Sequence, residues 1–458
     1  LKPNVYRLCV VADMQMDFRG EVIESDFYEA VMKSHARVTY GEAQEVIDGS
    51  CPPQFEHVKD VILKAADLAK ILMTKRFSEG SLDLEIPETE LIIDELGQPV
   101  DIQRSERIFA HRLIEEMMLS ANVAVAKFIG KANSAVLYRI HEPPKLDNVE
   151  LLNSFLKTFG SQKTLSTKKL QKDISKALQE FAGKPQEIIL HILTLRSMNQ
   201  AKYSPDNVGH FGLGFEDYAH FTSPIRRYPD LIVHRVLKNV LGIPGYEIPA
   251  ESTLETAGTF LSACEQRSVK AERQLHSIKK ARFIQKFIGE EFEGVISSVA
   301  KFGIFVLLRQ YDVDGLVKIE NLGDDRWMFI EDQLMLKGKH TDKQYCIGDI
   351  VKIQVAGCDV DAGQIDFVIP ELLPSLGEAK KREKRDFKQK NFEKHKNHDK
   401  KYANHGKSSS DNRREQIMKM LDEGVSLGHA KKRGKNEDDR RSSGKTRFSK
   451  RSRKGKAR

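Results

Sequence analysis

Apolar and polar residues alternate from Tyr6 to Met16, a stretch rich in Val, Leu and Met, and this period of two predicts a strand. Asp17-Phe18-Arg19-Gly20 supplies turn chemistry, and Glu21 to Val31 reads as the returning strand of a hairpin. Between Phe55 and Arg76 the period changes: Val58, Ile62, Leu63, Ala66, Leu68, Ile71 and Leu72 fall at helical spacing. Leu82, Leu84 and Ile86 alternate again, with Leu91 and Ile93 beyond Pro87, which predicts two strands joined at the proline. A long helix is predicted over Arg104 to Ile129, on the face formed by Ile108, Leu113, Met117, Ala121, Val125 and Phe128. Ala135 to Ile140 reads as a short strand, and several shorter helices fill Asn148 to Ser197. Two more helices are expected, from Asp230 to Leu241 and from Leu254 to Ile288, the second densely charged. Mixed sheet and helix segments indicate an α+β domain over residues 1–288.

From residue 289 to 373 the character changes to short strands around glycines. Phe292 to Val306 reads as two strands about a turn, and Gly315-Leu316-Val317-Lys318 and Gly348 to Val355 follow at spacings suited to a small barrel. The segment 374–458 has few large apolar residues and is predicted to be disordered. One island within it, Arg413 to Leu427, places Ile417, Met420, Leu421 and Val425 at helical spacing.

Charge sharpens this division. The 458 residues carry a net charge of +8, yet Leu376 to Arg458 alone holds 29 Lys and Arg against 12 Asp and Glu. The remainder is mildly acidic, so a polyanion site within it has to be a local basic groove. The tail's lysines and arginines attract any polyanion in a salt-sensitive, sequence-blind way, with RNA and ribosomes among the partners that permits and solubility alone as the plain reading. Five scattered cysteines (Cys9, Cys51, Cys264, Cys346, Cys358) form no Cys-x-x-Cys pair, which points away from a zinc ribbon or disulfide framework and towards a reducing, cytoplasmic setting. No apolar run approaches the ~18–20 residues of a membrane span. The chain opens at Leu1 directly into strand-like sequence with no initiator Met, so it is expected to begin inside a domain.

The densest chemistry lies in His220-Phe221-Thr222-Ser223-Pro224-Ile225-Arg226-Arg227-Tyr228-Pro229-Asp230. Arginine offers a planar, permanently charged fork that takes two phosphate oxygens at once. An isolated Arg-Arg pair is more often a surface salt bridge. Here the whole stretch resembles the signature of the RNB family, the exoribonucleases that include ribonuclease II and ribonuclease R. Three other segments match the family in order: Phe27 to Tyr40, His111 to Asn122, and Gly209-His210-Phe211-Gly212-Leu213-Gly214. The barrel segment resembles the S1 RNA-binding domain, an all-β barrel of the OB type.

The resemblance implies a partial RNB catalytic domain, the S1 barrel and the basic tail, with 3′-to-5′ processive hydrolysis of RNA to nucleoside 5′-monophosphates. It implies a monomer acting on single-stranded and structured RNA, with Mg²⁺ held by clustered aspartates. No Asp-x-Asp-Asp run precedes the signature, and Asp13 is a lone carboxylate in a strand, so no metal ligand is expected in this chain and those for Mg²⁺ are expected upstream of Leu1. The competing class is a non-catalytic RNA-binding protein on the same scaffold.

By the same resemblance Arg226 contacts the scissile phosphate, while the adjacent Arg227 points elsewhere or assists. Tyr228 packs on a sugar or buttresses the loop, and Asp230 is read as a helix N-cap. Glu115 is placed at the RNA end to accept from a ribose 2′-hydroxyl, with Asn122 two turns on. Spacing alone instead pairs Glu115 and Glu116 with His111 and Arg112. Glu272 matches another carboxylate at the RNA end, or forms a salt bridge with Arg267, Lys270 or Arg273. Leu84 stands where the family often has a base-clamping aromatic, and leucine has no π face to stack. On the barrel, Phe302 is expected outside as a stacking residue, Phe305 either inside or outside, and Lys301, Arg309 and Lys318 along the backbone path. Trp327 is either core or a loop anchor.

Overall fold

The computed structural model describes residues 2–84, 88–105, 107–184 and 186–372. The tail, with its island at Arg413 to Leu427, and the Pro87 junction lie outside the described residues.

The opening hairpin forms from β1 (Tyr6–Met16) and β2 (Val22–Lys33), paired antiparallel from Tyr6↔Lys33. Its turn is held by Asp17, whose Oδ1 accepts from the backbone N–H of Arg19 and of Glu21, each at 2.8 Å. A helix that the hydrophobic period did not reveal follows, α1 (Tyr40–Ile47). It is set by a capping box: Thr39 Oγ1 accepts from Glu42 N, and the Glu42 carboxylate accepts from Thr39 N at 2.8 Å. After a 3₁₀ turn at Pro53–Val58, α2 (Lys59–Glu79) runs to Gly80, a left-handed C-cap at φ +108°.

Here the expected pair of strands is corrected. Among the described residues only β3 (Glu88–Ile93) forms, and its partner is β4 (Pro99–Ser105) across the Asp94 to Gln98 turn. Leu82 to Leu84 forms no strand, because Leu82 N donates instead to Gly212 O at 3.0 Å and ties this segment to the Gly209–Gly214 loop. The long helix α3 starts at Phe109 and ends at Lys131. Next come β5 (Tyr138–Ile140), α4 (Leu146–Thr158), α5 (Leu170–Phe181), α6 (Glu187–Ser197), β6 (Lys202–Ser204), α7 (Tyr228–Val240) and the 34-residue α8 (Glu251–Ile284). Strand β5 pairs with β6, which brings the chain before and after the α4–α6 excursion side by side.

Two large apolar cores result, beside a small one of Ala66, Ala69 and Leu113 between α2 and α3. One lies between the hairpin, α3 and α7, with Val125, Ile129, Leu137, Val233, Val236 and Leu237 fully buried. The other runs from α4–α6 through Phe283 and Ile284 of α8 into the barrel without interruption. The barrel closes in the order β13-β14-β9-β8-β7, from β7 (Glu291–Ala300), β8 (Gly303–Leu308), β9 (Val313–Lys318), β13 (Ile350–Asp359) and β14 (Gln364–Val368). All its pairs are antiparallel except β14 with β9. On β8, Ile304, Val306 and Leu308 point inward, the alternation a half-buried strand requires. Gly315 leaves room for the Phe367 ring, which a Cβ there would meet at 2.2 Å. A three-stranded sheet unforeseen in the sequence, β10 (Trp327–Ile330), β11 (Met335–Gly338) and β12 (Gln344–Cys346), interrupts the barrel sequence. It carries Trp327, half-buried against the core and tilted on Tyr345 at 5.2 Å between ring centres.

Candidate functional site

The signature stretch leads into α7 over the first core, and buried or half-buried side chains fix its backbone at three points. Phe221 N donates to Asn122 Oδ1 of α3 at 2.9 Å. Phe221 O accepts from His234 Nε2 of α7 at 2.9 Å, and the His234 ring stacks on Phe221 at 4.4 Å. Ser223 N donates to Asp230 Oδ2 at 2.7 Å. The turn then closes on itself, with Arg226 N and Arg227 N both donating to Ser223 O.

The two arginines are sorted by this frame. Arg227 donates from Nη2 to Asp230 Oδ2 at 2.7 Å and is spent on holding the turn. Asp230 is 0% exposed and lies inside the first turn of α7, whose N-cap is Arg227. The N-cap reading of Asp230 is therefore corrected: its carboxylate reaches back to the loop rather than capping its own helix. Arg226 is exposed beside a fully exposed Ile225, with no ion-pair partner among the described residues. One permanent positive charge thus stands unpaired on a backbone that cannot easily yield. Tyr228 is exposed, and its hydroxyl accepts from Arg235 Nη1 at 3.4 Å.

Beneath the turn lies a cluster of histidines and tyrosines that the sequence did not single out. Tyr203 of β6 meets His220 Nδ1 at 2.9 Å. Tyr218 accepts from Asn122 Nδ2 at 3.2 Å and packs edge-on against both His210 and His220. His141 accepts from Gly212 N at Nδ1 and donates from Nε2 to Asn199 O at 2.8 Å. Gly209 adopts φ +76°, and a Cβ there would meet Phe215 O at 3.0 Å, so glycine is needed for the loop to pass. Burial pushes His210 down to about 3 and His220 down to about 2, with neighbouring histidines and arginines adding to the effect. Burial likewise raises the Tyr203 hydroxyl to about 12. The cluster is neutral across the physiological range.

The other candidates divide. Asn122 is buried with its amide engaged on Tyr218 and Phe221, so it does not share an RNA-facing surface with Glu115. Glu115 pairs with Arg107, which also lies 4.0 Å from Asp83, and Glu116 is buried in a bidentate pair with Arg76 of α2. Neither takes the His111 or Arg112 partner that helical spacing offered; Arg112 turns to Asp83 at 3.3 Å. Glu272 is exposed on α8 and forms none of the salt bridges its neighbours offered. Leu84 packs half-buried on the second core, so its side chain is committed to packing rather than to a base. Phe302 is 56% exposed but sits in the β7–β8 turn rather than on the strand, edge-to-face with the half-buried Phe305 at 6.0 Å. Lys318 is paired with Asp366 at 2.8 Å. Among the described residues there is no group of three or more His, Cys, Asp or Glu able to hold a metal ion, and all five cysteines are free. No described helix is long and apolar enough to cross a membrane.

A fixed polar turn on an α+β platform, followed by a closed five-stranded barrel, defines a two-part scaffold. Residues 1–243 match the RNB domain and residues 285–369 match the S1 RNA binding domain. The chain belongs to the RNB family. It is similar to ribonuclease R of Aquifex aeolicus, 43% identical over 81% of this chain and 53% of that protein. It is also similar to ribonuclease R of Buchnera aphidicola, 38% identical over 80% of this chain and 51% of that protein. The chain spans about half the length of these curated relatives. Among solved structures it resembles the apo form of Mycoplasma genitalium RNase R, with a TM-score of 0.75 and 27% identity over 81% of this chain and 58% of that one. The Mycoplasma protein has also been solved with ribose methylated single-stranded RNA and with double-stranded RNA.

Proposed function

We propose that this chain serves 3′-to-5′ hydrolysis of RNA, with Arg226 as the residue that meets the scissile phosphate. The observation that carries this reading is the unpaired guanidinium on a turn held by Asn122, His234 and Asp230. In the reaction water adds to phosphorus, the bond to the 3′ oxygen of the preceding ribose breaks, and a nucleoside 5′-monophosphate leaves. Charge grows on the phosphoryl oxygens along that path. A guanidinium already in place offsets it without the cost of reorganising. Glu272, exposed and unpaired among the described residues, is the readier carboxylate for a ribose 2′-hydroxyl, whereas Glu115 first has to exchange Arg107. Phe302, with Phe305 beside it, offers a stacking surface that accepts any base. The resemblance to ribonuclease R brings single-stranded and structured RNA as substrates, and Mg²⁺ to activate the water. The described residues do not fit a resident Mg²⁺, so no step here is routed through one.

In the full-length protein, Arg226→Ala is expected to cut hydrolysis of a single-stranded oligoribonucleotide on the order of 10²–10³-fold, as loss of one aimed donor does elsewhere. RNA affinity should be nearly unchanged. Equal rates in wild type and variant would contradict the assignment. The competing reading, RNA binding without cleavage, draws on the S1 barrel and its exposed Phe302. It predicts tight binding by wild type with no mononucleotide released.

A further inference from the structure

We propose that His220 is a further RNA-contacting residue of the same site, a neutral imidazole whose Nδ1 is fixed by Tyr203 and whose Nε2–H is presented to the strand that Arg226 meets. This deepens the reading above and rests on it.

The tautomer follows from the proton inventory. Tyr203 is buried, and its hydroxyl has one partner among the described residues, His220 Nδ1 at 2.9 Å. A buried O–H needs an acceptor. If Nδ1 carried the proton, the tyrosine O–H would have none, so Tyr203 donates and the imidazole proton sits on Nε2. Tyr203 cannot easily turn away. Its N–H donates to Ser262 Oγ of α8 at 2.9 Å, and the Arg139 guanidinium covers its ring at 4.7 Å. Arg139 is in turn held by two hydrogen bonds to Glu265 of α8.

The second ring nitrogen is left open. His220 is half-buried, Nε2 has no partner among the described residues, and it is absent from the buried atoms that lack one. An N–H in that state reaches solvent, at the residue that opens the signature stretch. The groups around it are Tyr203, Tyr218 and His210 on the buried side, Arg139 on β5, Arg226 and Arg227 on the turn, Asp230 on α7 and Glu265 on α8. Burial keeps the imidazole uncharged through the neutral range, and the positive charges that predominate near the ring add to the effect. A neutral donor is suited to a hydrogen bond with a phosphate or ribose oxygen beside a guanidinium, with no second cation to desolvate. It does not suit proton transfer near neutrality, since neither protonated His220 nor deprotonated Tyr203 is accessible there.

The experiment uses the full-length protein and a ribose-methylated single-stranded oligonucleotide. Nitrogen NMR of the His220 ring, assigned by its loss in His220→Gln, is expected to report the Nε2–H tautomer unchanged from pH 8 to 5. Its Nε2–H resonance is expected to shift when the oligonucleotide binds. In hydrolysis, His220→Ala should lower kcat/KM by up to about tenfold, the scale of one neutral hydrogen bond. His220→Gln, which keeps an acceptor for Tyr203 and a donor outward, should restore most of that. Tyr203→Phe removes the donor that fixes Nδ1 and should shift the ring towards a mixture of tautomers, while burial and the neighbouring cations keep it uncharged near neutrality. The inference falls if His220 titrates near neutrality in wild type, if its resonance ignores bound RNA, or if His220→Ala matches wild type while Arg226→Ala is impaired. If neither variant is impaired, the reading of Arg226 itself has failed. The ring resonances decide the proposal even if one variant does not fold.

Discussion

The signature turn and the barrel face are built by opposite designs. At the turn, buried polar side chains from α3 and α7 hold the backbone, and Asp230 consumes one of two adjacent arginines so that the other stands alone. At the barrel, the interior is apolar, with Ile304, Val306, Leu308 and Phe367 at 0% exposure, and the offered groups are an exposed Phe302 and its edge partner Phe305. The turn needs position, because charge stabilisation falls away quickly with misplacement. The barrel face needs only a flat apolar surface, because every base has a π face. Damage to the frame should therefore abolish function at the turn, and damage to a contact residue should merely weaken it at the barrel.

The largest effect tests the frame. Asp230→Ala leaves the partly buried Arg227 and Ser223 N–H without their acceptor, and is expected to cost up to about 3–5 kcal/mol of stability. Urea denaturation measures this, and a loss within about 0.5 kcal/mol, the range of neutral surface changes, would refute the frame. A graded effect, smaller for each pH unit, comes with acid. His210 and His220 have folded pKa values of about 3 and about 2, below their ordinary 6.5. The unfolded chain takes up those protons first, so their contribution is complete above about pH 6.5 and is lost as pH falls from there towards 3 and 2. Each contributes a slope of about 1.4 kcal/mol per pH unit where only the unfolded state is protonated. Denaturation midpoints at stepped pH should show this slope, reduced by one proton's worth in His220→Gln. Smallest is the barrel contact: Phe302→Ala should weaken single-strand binding by ~1–3 kcal/mol and leave stability nearly unchanged, since the ring is mostly in water. A matching loss of stability would make Phe302 a packing residue and erase the contrast.

Much of the scaffold was legible in the chain. The opening hairpin, α2 and α3 follow from period, α7 and α8 are predicted as helices too, and the small barrel after α8 follows from the spacing of its strands and the S1 resemblance. Long amphipathic segments announce which side they bury. What escaped was decided by local polar chemistry or by distant partners. Helix α1 rests on the Thr39–Glu42 capping box with little apolar face. Strand β4 alternates weakly, and β10 to β12 are strands of three or four residues, too short for a period to show.

The same boundary runs through the site. The motif order in the sequence determined the family and picked out Arg226, because adjacent residue types in a fixed order are local information. Only the tertiary structure decided that Arg227 is spent on Asp230, that Asn122 is a buried brace, that Leu84 belongs to a core, and that Glu115 and Glu116 answer to Arg107 and Arg76. Those outcomes depend on which side chains the fold brings within hydrogen-bond reach, often from distant parts of the chain. The electrostatic reward for such pairing is large only where water has been excluded.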